Sequence, residues 1–151
     1  MDWFVVDKKY INYLTQFDSR VGYVEYGERL KLHVGILLTI GDFHKLQDES
    51  TGYLYAVLNI NNMIPVPDNY LTQLKYNQVE SFRSFSNEKE KTDYVYLLQK
   101  EKALIDNVQN TLQNKALKLY QKCIAKPDSS LAARCCNFKM LEEKCSSYSD
   151  T

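Results

Sequence analysis

With 151 residues, 44% hydrophobic and 25% charged, the chain is expected to form one domain, residues 1–151, with a real core, and a disordered chain is excluded. Its 19 basic residues balance its 19 acidic ones, so no global charge draws it to a nucleic acid, and any basic surface must be local. No apolar run is long enough to span a membrane, and the start, with no basic segment before an apolar stretch, predicts no secretory signal.

Residues 3–6 read as a short strand. Asp7 is placed to cap a helix over residues 8–17, in which Tyr10, Leu14 and Phe17 share a face. A loop with Gly22 and Gly27 follows. In residues 30–40 every even position is apolar (Leu30, Leu32, Val34, Ile36, Leu38, Ile40), the period of a strand with one face on a core; Lys31 and His33 lie on the other face. Residues 53–60 repeat the pattern with Leu54, Ala56, Leu58 and Ile60. Asn61-Asn62 signals a turn, and residues 63–66 can return as a hairpin strand restricted by Pro65.

Val79, Phe82 and Phe85 predict a short helix, with Ser86 and Asn87 breaking it and capping the next. From about residue 88 to 126 the pattern is helical without Gly or Pro, and its length predicts a break near Asp106-Asn107. Pro127 ends it. A last helix covers residues 137–145, with Asn137 as its cap. Turn residues early and long helices late predict an α+β fold.

The 12 Tyr can serve a core or stack on RNA bases. Four cysteines (Cys123, Cys135, Cys136, Cys145) show no CxxC pair, which argues against zinc and for thiols packed near the core in a reducing cytoplasm. Lys115, Lys118, Lys122 and Lys126, spaced three, four and four apart, form one stripe on the long helix with no acid between Thr111 and Lys126. Such a stripe can track phosphates or simply be a solvated face. Arg134, Lys139 and Lys144 form a weaker basic set.

Four ordered stretches carry a family resemblance: Lys8-Lys9-Tyr10-Ile11-Asn12-Tyr13-Leu14 with Phe17-Asp18; Lys31-Leu32-His33-Val34-Gly35-Ile36-Leu37-Leu38-Thr39-Ile40; Leu58-Asn59-Ile60-Asn61-Asn62-Met63-Ile64-Pro65-Val66; and Cys136-Asn137-Phe138-Lys139-Met140-Leu141-Glu142-Glu143-Lys144. Together they resemble the ToxN/AbiQ family of type III toxin–antitoxin toxins, most nearly its CptN-like members.

The resemblance implies a twisted, mostly antiparallel β-sheet of the Kid/MazF-like split-barrel kind, surrounded by helices. It implies a metal-independent endoribonuclease without a cofactor. The implied partners are cellular RNA substrates and a small repeat RNA antitoxin, often a pseudoknot, which the toxin cuts from its transcript and holds in a ring-like assembly. A role in phage defence by abortive infection is implied as well. Lys31 matches the family's strand lysine and is the leading catalytic candidate. His33 shares its face and suits acid–base work, although family members commonly carry an aromatic there; Tyr26 lies near a family tyrosine. For RNA binding the candidates are Lys115, Lys118, Lys122, Lys126, Arg134 and Lys139. One segment departs: the family's next strand ends in a Pro-Leu-[Ser/Thr]-Ser-Pro-Lys-like motif, whereas here Ile40-Gly41-Asp42-Phe43-His44-Lys45-Leu46 runs straight on. A non-cleaving RNA-binding module on this fold and a Tyr-rich protein-interaction domain are the alternatives.

Overall fold

The computed structural model describes residues 2–22, 25–26, 29–30, 32–34, 44–47 and 54–149. Strand β1 (Trp3–Val6) is the centre of a three-stranded sheet. On one side it pairs antiparallel with β4 (His33–Val34), Trp3 opposite Val34 and Phe4 opposite His33. On the other it pairs with β7 (Leu71–Gln73), in the register Phe4 with Gln73 and Val6 with Leu71. Two hairpins accompany this sheet: β2 (Glu25–Tyr26) with β3 (Arg29–Leu30), and β5 (His44–Gln47) with β6 (Leu54–Leu58), the latter irregular between Leu46 and Gln47. Helix content outweighs sheet, so the α+β expectation holds with a small antiparallel sheet.

Among the described residues five α-helices complete the fold. Helix α1 (Lys8–Thr15) starts where expected, because the Asp7 carboxylate accepts the Tyr10 N–H at 3.0 Å. Helix α2 (Glu88–Asn107) is capped by Asn87, whose side chain accepts the Glu90 N–H. Helix α3 (Gln109–Ala125) follows at once, and the two share Val108, whose φ of −108° and ψ of 12° leave the helical region. The expected break therefore falls one residue beyond Asn107. Short α4 (Ser130–Ala133) is capped by Ser129, and α5 (Phe138–Ser147) by Asn137, as read from the sequence. No helix among the described residues is long and apolar enough to cross a membrane.

Trp3 and Val6 point to opposite faces of β1 and feed two cores. Trp3 packs with Leu98 and Ile105 of α2, Leu112 of α3, Leu74 and Val79. Its indole N–H also donates to the Leu98 carbonyl at 3.1 Å. Val6 packs with Tyr10, Ile11 and Leu14 of α1, the later half of α3, and Phe138 and Leu141 of α5. Burial of these side chains is the main stabilising term.

Four tyrosines belong to the second core rather than to a surface. Tyr10 stacks on Tyr70 at 5.2 Å, and Tyr148 meets Tyr10, Tyr13 and Tyr70 at 4.7 to 5.1 Å. Cys123, Cys135 and Cys136 are buried thiols and Cys145 is half-buried, in keeping with the sequence reading.

Three expectations need correction. Residues 63–66 form no strand: the Tyr10 hydroxyl takes the Pro65 carbonyl at 2.7 Å, and Met63, Ile64 and Val66 pack on the α1 core instead. The short helix expected from Val79, Phe82 and Phe85 is a 3-10 helix (Tyr76–Ser81) that contains Val79 and stops before Phe82 and Phe85, with Gln78 off helical geometry. Leu32 lies between β3 and β4, so the strand expected over residues 30–40 does not run unbroken from its start; residues 35–40 lie outside the described residues.

Candidate functional site

The described catalytic candidates lie on two separate strand pairings. His33 sits half-buried on β4 beside Phe4 of β1. The backbone of Tyr26 pairs with Arg29 in the β2–β3 hairpin. Lys31 lies outside the described residues, between that hairpin and β4. Tyr26 and His33 are thus close in sequence, one on each side of Lys31, and among the described residues no pairing joins the β2–β3 hairpin to β4.

The RNA-binding candidates lie elsewhere. Lys115, Lys118 and Lys122 are exposed on α3 and Lys126 is exposed at its C-terminal cap. They flank the face that buries Leu112, Ala116, Leu119 and Cys123. Among the described residues none of the four meets an acid in an ion pair, so their charges are available to solvent or to a polyanion. Arg134 is exposed after α4, and Lys139 is exposed in the first turn of α5. The stripe's C-terminal end and these two cations converge, because α3, α4 and α5 pack together.

At that convergence lies a pocket of about 310 Å³. Its walls come from the end of α3 (Ile124) and Pro127, from α4, from the start of α5 (Phe138, Lys139), and from Arg20 after α1. Arg20 was not among the residues read from the sequence. Its Nε and Nη2 donate to the two Asp18 oxygens at 2.8 and 3.0 Å, and its Nη1 donates to the Ala133 carbonyl at 3.0 Å. Asp18 also accepts the Asn137 N–H at 2.7 Å.

Burial alone would raise the Asp18 carboxyl pKa. Hydrogen bonds from Arg20 and from the Asn137 and Arg20 backbone outweigh burial and hold it below the usual range. The carboxylate is therefore charged and fully engaged, with its side chain 2% exposed. The sequence signal for this anchor was present in two of the quoted stretches, Phe17-Asp18 and Cys136-Asn137-Phe138, but nothing local says that they touch.

Two other groups stand out. Burial first, then the Cys123 thiol beside it, push Cys135 up to about 12, so it is a protonated, unreactive thiol at neutral pH. Burial pushes Glu101 of α2 up to about 7. Among the described residues no group of three or more His, Cys, Asp or Glu side chains is placed to hold a metal ion.

Comparison with known proteins gives this geometry a context. The model of the family described as "Toxin ToxN, type III toxin-antitoxin system" matches residues 42–146. The endoribonuclease AbiQ of Lactococcus lactis subsp. lactis is 27% identical over an aligned span of 175 residues, covering 97% of this chain and 88% of AbiQ. The endoribonuclease ToxN of Bacillus thuringiensis subsp. kurstaki is 25% identical, covering 96% of this chain and 82% of that one. Both aligned spans exceed the 151 residues here, so each relative carries residues without a counterpart in this chain.

Among solved structures, one from work on selective toxin inhibition by a non-coding RNA pseudoknot superposes with a TM-score of 0.81 at 24% identity, covering 99% of this chain and 98% of that one. That of AbiQ, described as a lactococcal anti-phage endoribonuclease, superposes with a TM-score of 0.75 at 23% identity, covering 96% and 95%. These superpositions establish the shared fold.

Proposed function

This chain belongs to the ToxN toxin family of type III toxin–antitoxin systems, and from that membership we propose that it is a metal-independent endoribonuclease held in check by a small RNA antitoxin. The observation that carries the reading is the family match across residues 42–146, joined to relatives named as endoribonucleases over nearly the whole chain.

The chemistry needs no group beyond the chain and its RNA. The 2′-hydroxyl next to the scissile phosphate attacks phosphorus, the bond to the 5′-oxygen breaks, and the products carry 2′,3′-cyclic phosphate and 5′-hydroxyl ends. Lys31 is assigned to the phosphate, where an ammonium offsets the charge that builds on the non-bridging oxygens. His33 and Tyr26 are the candidates for moving protons, His33 because imidazole titrates near neutrality. Lys115, Lys118, Lys122, Lys126, Arg134 and Lys139 hold the RNA backbone away from the reacting phosphate, each contact releasing counterions.

The same RNA chemistry serves both partners. Cellular RNAs are substrates. The antitoxin, a repeat RNA with a pseudoknot fold, is cut from its precursor and kept in the groove, closing with the toxin into a ring. We read the described antiparallel strands as parts of a Kid/MazF-like split barrel, the site as cytoplasmic, and the biological role as defence against phage by abortive infection; the solved relatives described with a pseudoknot inhibitor and with anti-phage activity support this.

A second reading is favoured by one observation: the relatives carry residues that this chain lacks. If these include the family's hydroxyl- and lysine-bearing segment, the protein binds RNA without cutting it. Incubation of a mixed RNA with the purified chain in excess EDTA, beside Lys31→Ala, separates the two. Cyclic-phosphate and 5′-hydroxyl ends that vanish in Lys31→Ala support the enzyme. Intact RNA in both lanes overturns it in favour of the binding module.

A further inference from the structure

We propose that the pocket between Arg20, the end of α3 and the start of α5 receives one unstacked nucleotide of the bound RNA, its phosphate toward Arg20 and Lys139 and its base against Ile124, Pro127 and Phe138. This rests on the RNA-binding reading above and adds to it a defined subsite distinct from the strand that carries His33.

Size is the first argument. About 310 Å³ lies at the small end of ligand pockets, which run from roughly 300 to 1,000 Å³. That is room for one nucleotide and too little for a stacked pair. Wall chemistry is the second. The lining combines the apolar side chains of Ile124, Pro127 and Phe138 with the cationic ones of Arg20 and Lys139. A nucleotide has the same mixed character, a flat apolar base joined to an anion.

Charge is the third. No Asp or Glu lines the pocket. Asp18 is paired with the Arg20 guanidinium, whose charge it offsets, and accepts the Asn137 N–H; Asp128 follows the lining residue Pro127 in sequence. A phosphate would therefore be met mainly by Lys139, which has no acid in an ion pair among the described residues, and by the positive end of α5, which begins at the pocket wall.

Approach is the fourth. Lys122 and Lys126 precede the lining residues Cys123 and Pro127 in sequence, and Arg134 follows Ala133, so the C-terminal end of the lysine stripe lies one residue along the chain from the pocket's lining. Single-stranded RNA is read by splaying bases out of the stack in this way.

The test uses the full chain and the four nucleoside 5′-monophosphates, which contain no bond the enzyme can cut, beside inorganic phosphate. Backbone amide NMR shifts are followed at Ala133, Phe138 and Lys139. The expected result is saturable shifts at these residues, with at least one nucleotide binding about tenfold more tightly than phosphate. Ala133→Trp, which fills the pocket from an exposed position, and Lys139→Glu should each weaken nucleotide binding about tenfold, equivalent to roughly 1.4 kcal/mol.

Absence of saturable shifts overturns the proposal. So does phosphate binding as tightly as every nucleotide, which would mean that no base is read. Unchanged binding in both variants overturns it too. The ribonuclease reading is judged separately on the same preparation. Nucleotide binding with uncut RNA keeps the subsite and removes the enzyme; cut RNA without nucleotide binding does the reverse.

Discussion

The Asp18 carboxylate accepts the backbone N–H of Asn137 at 2.7 Å across 119 residues of sequence, and so pins the start of α5 to the end of the α1 segment. The same carboxylate holds Arg20 through both oxygens. Asp18→Asn should cost about 1–3 kcal/mol, because it removes the charge of a buried carboxylate whose Arg20 partner is 39% exposed, and weakens the bond to Asn137; urea unfolding measures this. The folded pKa of Asp18 is lowered, so its stabilisation is present above the ordinary carboxylate range and is lost as pH falls through the lowered value. The variant should accordingly show a flatter loss of stability in acid than the parent. Equal acid sensitivity in both would refute the assignment.

Glu101 behaves with the opposite sign. Burial raises its pKa to about 7, so the folded state binds the proton more tightly than the unfolded chain. Its favourable contribution is present below the unfolded value and is lost as pH rises through about 7. At pH well above that, the buried charge costs roughly 3 kcal/mol. Glu101→Gln should raise the melting temperature at alkaline pH by several degrees and change it little in acid; a scan of melting temperature against pH decides.

The lysine stripe predicts a salt effect. Each phosphate contact on single-stranded RNA contributes about 0.7 to the slope of log affinity against log salt. Lys118→Gln with Lys122→Gln should lower RNA affinity at low salt and reduce that slope by about 1.4. Filter binding across a salt series checks it, and an unchanged slope would return the stripe to a plain solvated face.

Trp3 couples the central strand to α2 through its indole N–H and the Leu98 carbonyl. Trp3→Phe keeps an aromatic ring in the core but removes that bond and some volume. The expected loss is about 1–3 kcal/mol, measured by thermal or urea unfolding.

Much of this fold was legible because its signals are local. Asp7, Asn87 and Asn137 each accept an N–H three residues on, and a cap of that kind can be read from a handful of residues. The break between α2 and α3 followed from length alone. What escaped is set by distant partners. Leu71–Gln73 is too short to show alternation and becomes a strand only because β1 lies beside it. Residues 63–66 carry strand-like side chains, but the Tyr10 hydroxyl claims the Pro65 carbonyl. In the site, the lysine stripe is a helical period and was readable, whereas the Arg20 pocket exists only once α1, α3, α4 and α5 are packed. The tyrosines show the same limit: composition suggests stacking on bases, and packing gives four of them to one another.

The clasp between Asp18 and Asn137 also sets a timetable. A ribosome adds about 5–20 residues per second, so the 119 positions between the two ends take about 6–24 s to synthesise. Throughout that interval the apolar face of α1, with Tyr10, Ile11 and Leu14, has been made but its cover from α5 has not. The core that Val6 and α1 begin is thus the last to close, and a nascent chain stalled before Asn137 is a substrate for chaperones and proteases rather than a finished toxin.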